Sequence, residues 1–197
     1  MTLEGGEGAG KSTQADLLAR ALEARGIAVL RTREPGGTDG AEQLRALLLA
    51  PGADWTPLAE MLLHFAARAE HVDRAIRPAL AAGHWVVCDR FTDSTLAYQG
   101  YGQGADLAAI RALGVMIGLA PDRTIVLDIP EHVRTARLAA RPGGLDRYEL
   151  LSPPFHARVR EGFRAIAAGE PERCVLIRGD GDEAAVHAAV LRAIERE

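Results

Sequence analysis

A glycine-rich turn of fixed spacing, Gly5-Gly6-Glu7-Gly8-Ala9-Gly10-Lys11-Ser12, follows a short apolar run at residues 1–3 and precedes an apolar helical stripe at Leu17, Leu18, Ala21 and Leu22. It matches G-x-x-x-x-G-K-[ST] at every position, between a predicted strand and a predicted helix, which is the context that this phosphate-binding loop requires. Glycines let the backbone turn successive N–H groups toward phosphate oxygens, and the following helix adds its positive end. Residues 5–13, from Gly5 and Gly6 through Ala9 to Thr13, are therefore the candidate donor-nucleotide cradle. Lys11 is placed to reach the β- and γ-phosphates and the Ser12 hydroxyl to ligate Mg2+. Lys11 is also the only lysine among the 23 basic residues; all the others are arginine.

That motif sets the expectation for the remaining 184 residues or so, and the chain meets it with short β-type runs alternating with amphipathic helical stretches. Strands are predicted at 1–3, 27–32, 85–88, 124–129 and 174–178. Helices are predicted after the cradle as far as Gly26, around Leu44, Leu47 and Leu48, at 58–82, and at 106–119, 131–140, 154–168 and 183–194, with Pro78 expected to kink or break the 58–82 helix. The prediction is one domain over 1–197: a three-layer αβα fold with a five-stranded parallel sheet. The first strand is short for a buried parallel strand, which suits a sequence that begins inside a longer natural chain.

Net charge and the cysteines exclude several classes. At −4 the chain carries no general field for a nucleic acid polymer or an anionic membrane. No run of residues has the length and apolarity of a membrane span, and the start has no signal-type pattern, so a cytoplasmic protein is expected. Cys88 and Cys174 each sit in an apolar run and read as buried thiols. A guanine-reading Asn-Lys-x-Asp element is impossible, because the one lysine is in the cradle. A mechanochemical ATPase would carry an acidic pair after its second apolar strand, whereas Val86-Val87-Cys88-Asp89 is followed by Arg90. Asp89 is placed to hold magnesium directly or through water, and Arg90 points to a second anion beside the first.

Five segments together resemble bacterial thymidylate kinases, a nucleoside monophosphate kinase branch of the P-loop proteins. They are Glu4-Gly5-Gly6-Glu7-Gly8-Ala9-Gly10-Lys11-Ser12-Thr13, Arg33-Glu34-Pro35-Gly36-Gly37-Thr38, Phe65-Ala66-Ala67-Arg68, the run from Asp89-Arg90-Phe91-Thr92-Asp93-Ser94-Thr95 to Leu96-Ala97-Tyr98-Gln99-Gly100, and Leu145-Asp146-Arg147-Tyr148-Glu149. The resemblance implies transfer of a phosphoryl group from Mg-ATP to dTMP, and a homodimer. It places Glu7 at the 3'-hydroxyl of the acceptor sugar, Glu34 and Pro35 along the acceptor site, and Arg68 at the thymine. Arg90 becomes the clamp on the acceptor phosphate; Ser94, Thr95 and Gln99 surround the base, and Tyr98 packs under the sugar. The family's base-stacking aromatic stands four positions before the helix arginine. Here that position holds His64, with Phe65 beside it, and Phe65 is the expected stacker.

An ionised phosphate acceptor needs no protein base, so the chemistry calls for cations that place and neutralise two polyanions. Arg134, Arg137 and Arg141 share one helical face, and Pro142-Gly143-Gly144 and Arg147 follow. This resembles the family's lid, here about 134–150. A glycine at Gly8 resembles the subgroup that draws its catalytic arginine from the lid, with Arg137, Arg141 and Arg147 as candidates beside Lys11 and Arg90. The alternatives are a kinase for another monophosphate, UMP or CMP, or a nucleotide-binding module that has lost transfer.

Overall fold

The computed structural model describes residues 1–142 and 146–195. Five strands, β1 (Thr2–Gly5), β2 (Val29–Arg33), β3 (Trp85–Asp89), β4 (Thr124–Asp128) and β5 (Cys174–Arg178), form a parallel sheet in the order β2-β3-β1-β4-β5. Chain connections leave β1 toward one edge and β3 toward the other, so the crevice at the carboxyl ends of these two neighbours is the point where strand order reverses. Open α/β sheets bind ligands at such a point. The cradle leaves β1 here, and Asp89 and Arg90 close β3 beside it.

Side-chain alternation along the strands divides the core into layers. Leu3, Ile125 and Leu127 pack with Leu18 and Leu22 of α1 (Lys11–Glu23) and Val190 of α9 (Glu183–Ile194). Val126, between Ile125 and Leu127, joins the opposite layer with Phe65, Ala97, Ile110, Phe155 and Phe163. That layer is supplied by α3 (Pro57–His71), α6 (Leu107–Ile117) and α8 (Pro153–Gly169). The remaining helices are α2 (Asp39–Leu49), α4 (Arg77–Ala81), α5 (Thr92–Thr95) and α7 (Glu131–Ala140).

Two helical segments depart from the sequence expectation. The predicted 58–82 helix breaks before Pro78: α3 ends at His71, and a widened π-type turn over Val72–Ile76 leads into α4. Pro78 has no N–H for the carbonyl four residues back, and its ring crowds that turn, so the backbone opens ahead of it. A second widened turn, Leu96–Gly102, continues α5 where no helix was predicted. A Cβ on Gly102 would lie 2.6 Å from the Phe155 ring, so glycine there lets α8 approach the turn closely. Strand β2 starts two residues later than expected, at Val29, and ends one later, at Arg33.

Candidate active site

The cradle is built mainly from backbone. Gly5 ends β1 at φ 136°, and a Cβ on it would overlap the Leu127 carbonyl, so no other residue lets the chain turn here. Gly10, at φ 92°, stands as the N-cap of α1 with no side chain closing the helix end. Lys11 is buried and its Nζ donates to Gly6 O at 2.8 Å, folding the ammonium back over the loop. Burial, and next the Arg90 charge, pull its pKa down. Residues Glu7 to Gln14 line an open cleft together with Asp89, Arg90, Arg137, Arg141, Gly179 and Gly181. Ser12 Oγ donates to Asp89 Oδ2 at 2.5 Å. These two oxygens, side by side on the cleft wall, are donors of the hard type that Mg2+ takes.

Beside the cleft lies a smaller cavity, whose walls include Glu34, Pro35, His64, Arg68, Ser94, Thr95, Tyr98, Gln99 and Tyr148. It is built from side chains of distant segments. Arg68, only 2% exposed, donates from Nε to Glu34 Oε2 at 2.7 Å and from Nη2 to Thr95 Oγ1 at 3.1 Å. Its Nη1 is buried and meets no acceptor among the described residues. A buried guanidinium donor left over in a cavity wall is costly unless something enters to accept from it. Glu34 is held on its other side by His71 Nδ1 at 3.0 Å, and His71 Nε2 lies 2.7 Å from Thr32 Oγ1. Arg68 thus stands on a buried frame, with its guanidinium 4.7 Å above the Phe65 ring and 5.1 Å from that of Phe91.

The two spaces share a wall. Glu34, Arg45, Arg90 and Asp146 line both. Arg90 is the only non-glycine described at positive φ, 70°, a strained position of the sort concentrated at functional sites. Its backbone N–H donates to Leu3 O at 2.9 Å, tying it to β1. Its Nη2 donates to Glu7 Oε1 at 2.6 Å and Tyr98 Oη at 3.2 Å, and its Nη1 reaches Gly5 O and Ser94 Oγ, both at 3.3 Å. Tyr98 Oη also donates to Glu7 Oε1 at 2.8 Å. Burial pushes the Glu7 carboxyl up, but the Arg90 and Lys11 charges and the Tyr98 hydroxyl outweigh it and hold the pKa at about 2. Arg90 pairs with Glu7 in the loop and not with Asp89, its neighbour in sequence.

Four placements alter or extend the sequence reading. His64, not Phe65, lies on the wall of the small cavity; Phe65 turns into the core beneath Arg68. The reason is helical geometry, since His64 and Arg68 are one turn apart on α3 and share a face. Arg137 and Arg141 line the cleft, with Arg137 Nη1 donating to Gly8 O at 3.1 Å and Arg141 Nη2 to Glu149 Oε2 at 2.6 Å. Arg147 turns the other way, with Nη1 2.5 Å from Oε2 of the buried Glu60, and is not among the cleft residues. The glycine pair 143–144 and Leu145 lie outside the described residues.

Sequence reasoning missed Arg45, Asp146, Tyr148 and Glu4. Arg45 Nη1 donates to Pro35 O at 2.9 Å on the shared wall, yet in α2 it has the spacing of an ordinary surface charge. Asp146 and Tyr148 stood inside a quoted segment without a role. Glu4 is fully buried, accepting from Phe91 N at 2.7 Å and from Ser94 Oγ at 2.5 Å. Burial, with Asp93 next, lifts its pKa to about 8. A lone glutamate inside an apolar strand was the available signal.

A family model for thymidylate kinase matches residues 3–190. The chain belongs to the thymidylate kinase family. It is 54% identical to a thymidylate kinase of Gluconobacter oxydans, over 98% of this chain and 92% of that protein. One from Synechococcus sp. (strain JA-2-3B'a(2-13)) is also 54% identical, over 99% of this chain and 93% of its own length. The crystal structure of thymidylate kinase from Ehrlichia chaffeensis superposes with a TM-score of 0.80 at 37% identity, covering 98% of this chain and 97% of that one. The five-stranded parallel sheet is the one predicted from sequence.

Proposed function

We propose that this protein transfers the γ-phosphoryl group of Mg-ATP to the phosphate of dTMP, giving dTDP and ADP. The observation that carries the reading is Arg90, which lines the donor cleft and the acceptor cavity at once while Lys11 lines the first. Two anionic nucleotides held on these walls meet phosphate to phosphate at one guanidinium. ATP lies over residues 5–13, its adenine toward Gly179 and Gly181. The dTMP base enters the small cavity, where the free Arg68 Nη1 supplies a donor for a base carbonyl, and its phosphate lies against the Arg90 fork, which suits two oxygens together.

The protein's work is placement and charge neutralisation, since a phosphate acceptor with a second pKa near 6 is a nucleophile without a base. Lys11 and Arg90 hold the donor and acceptor phosphates at a fixed approach, and Arg137 and Arg141 reach the moving group from the lid at 134–150. Ser12 and Asp89 would hold Mg2+ together with the nucleotide, and the ion would supply positive charge against that of the phosphates. Closing the lid excludes water as a competing acceptor. Arg147 acts elsewhere, through Glu60.

A panel of dTMP, dUMP, UMP and dCMP assayed with ATP tests the function. Equal formation of dTDP and ADP, with dTMP fastest and little ATP hydrolysis alone, supports it; faster UMP turnover replaces the substrate, and binding without dTDP leaves a nucleotide-binding module. We also infer a homodimer formed through α3 and α6, where Leu58, Leu62, Val115 and Met116 are exposed, the last two at 81% and 79%. Light scattering at micromolar concentration tests this, and a monomer would refute it. Among the described residues no helix is long and apolar enough to cross a membrane. We assign the protein to the cytoplasm, as one domain over 1–197.

A further inference from the structure

We propose that Glu60, a residue that lines neither nucleotide space, sets the hydrogen-bonding polarity around the acceptor cavity, compelling Gln99 to turn an acceptor toward the base and His64 to keep its proton on Nε2. Glu60 is a positioning residue on α3, 0% exposed, surrounded by donors. Its Oε1 accepts from Gln99 Nε2 at 2.9 Å, Gln103 Nε2 at 2.6 Å and Tyr148 Oη at 2.9 Å, while Arg147 Nη1 lies 2.5 Å from Oε2. Burial pushes its pKa up, but these donors outweigh that and hold it below the usual carboxylate range. An ionised carboxylate has no proton to give, so every partner must donate to it.

Two consequences follow from that one-way acceptance. The Gln99 amide must turn its NH2 to Glu60, which leaves Oε1, an acceptor, as what this cavity-lining side chain has to offer the base. Tyr148 has one hydroxyl proton, and it is spent on Glu60. His64 Nε2, 2.9 Å from Tyr148 Oη, therefore has to donate, and a neutral imidazole that donates from Nε2 keeps a bare lone pair on Nδ1. Burial is the main reason the ring stays neutral, with a pKa of about 3. The Arg68 charge from α3, with Arg90 from the end of β3 and Arg147 from beside Tyr148, outweighs Glu60. One buried charge thus fixes an amide orientation and a tautomer on two sides of the cavity.

The chemistry selects a base. With Arg68 Nη1 donating and Gln99 Oε1 accepting, the walls offer a donor for a carbonyl and an acceptor for a ring N–H, the two groups that lie side by side on an imide edge, as in thymine or uracil. A cytosine edge has a bare ring nitrogen and an exocyclic amine, so its ring nitrogen would face the Gln99 acceptor and its amine the Arg68 donor. Sites that hydrogen-bond a particular group reject analogues lacking it by large factors, because buried polar atoms are left unpaired. The inference rests on the acceptor assignment above and adds what enforces it.

The test is independent of that assignment in its first arm. Full-length protein labelled with 15N-histidine, with His64 assigned by loss of its signals in His64→Phe, should show an Nε2-protonated neutral ring from pH 8 to pH 5. An Nδ1-protonated or charged ring at pH 7 overturns the proposal even if dTMP is phosphorylated. Conversely, a wild-type enzyme inert toward dTMP removes the functional reading and leaves the tautomer result standing. In the second arm Glu60→Gln, whose amide can donate as well as accept, should lower the dTMP over dCMP ratio of kcat/KM by about tenfold or more. The loss should fall on the dTMP KM, with kcat within about threefold. An unchanged ratio overturns the proposal. Should Glu60→Gln fail to fold, Tyr148→Phe cuts the His64 branch and leaves the Gln99 bond to Glu60 in place. His64 should then show both tautomers and the dTMP KM should rise; a ring that keeps its single Nε2-protonated form would refute the relay.

Discussion

The cleft proposed for the donor and the cavity proposed for the acceptor touch along four residues, yet they are made by opposite means. The cradle is one consecutive run, residues 5–13, of which Glu7 to Thr13 line the cleft, with one ammonium laid back over the loop. The cavity draws on β2's end, α2, α3, the widened turn after α5 and the segment after 146, and its key cation is held by buried side-chain bonds. A backbone cradle binds any nucleoside triphosphate, because phosphates are common to all. A side-chain cavity binds one base and is correspondingly exposed to damage from a single substitution.

If this division is sound, Lys11→Ala should lower kcat by about 10²- to 10³-fold, the scale for losing one donor to transition-state charge, and leave the dTMP KM near its wild-type value. A dTMP KM that rises as steeply as kcat falls would show the two regions to be one energetic unit. Arg68→Ala should do the reverse, raising the dTMP KM by about 10- to 100-fold with the ATP KM unchanged. The same variant strands the buried Glu34 carboxylate, so urea unfolding should show a loss of about 3–5 kcal/mol. An unaltered dTMP KM would remove Arg68 from the base.

A smaller contrast tests the lid. Arg137→Ala should lower kcat about 10- to 100-fold, whereas Arg147→Ala, acting through Glu60, should chiefly raise the dTMP KM by up to about tenfold. Interchanged effects would reverse the roles drawn from their placement. The smallest effect is on acid stability. Glu7 and His64 both have folded pKa values below their ordinary ones, about 2 against 4.5 and about 3 against 6.5, so the folded state binds fewer protons than the unfolded. Their contributions are complete above the ordinary values and are lost on acidification, that of His64 from about pH 6.5 downward and that of Glu7 from about pH 4.5. Each pH unit in a window removes up to about 1.4 kcal/mol per group. Urea midpoints measured from pH 7 to pH 4 should therefore fall, and fall less in His64→Phe; an identical slope would show that the ring titrates normally.

The same asymmetry explains what the sequence made legible. Spacing alone gives the cradle, because contiguous backbone geometry writes itself as glycines at fixed intervals, and strand alternation gives the five-stranded sheet. Pro78 announced a break but not its place, since the π-type turn at Val72–Ile76 is where the strain is absorbed and carries no residue signature of its own. In the cavity, Arg68 and Arg90 were found through a motif, while Arg45 and Glu60 look like solvated helix charges until the chain is folded. His64 and Phe65 show the limit most plainly: adjacent residues face different surroundings, and only the rotation of α3 decides which one meets the cavity.

The sole lysine has a practical corollary. Its ammonium sits in the donor cleft against Gly6 O, so a chain grown with isotopically labelled lysine carries one spectroscopic reporter and no background. An amine-directed reagent has a single side-chain target for the same reason. Occupancy of the cleft can then be followed on the unaltered protein, without installing a foreign probe.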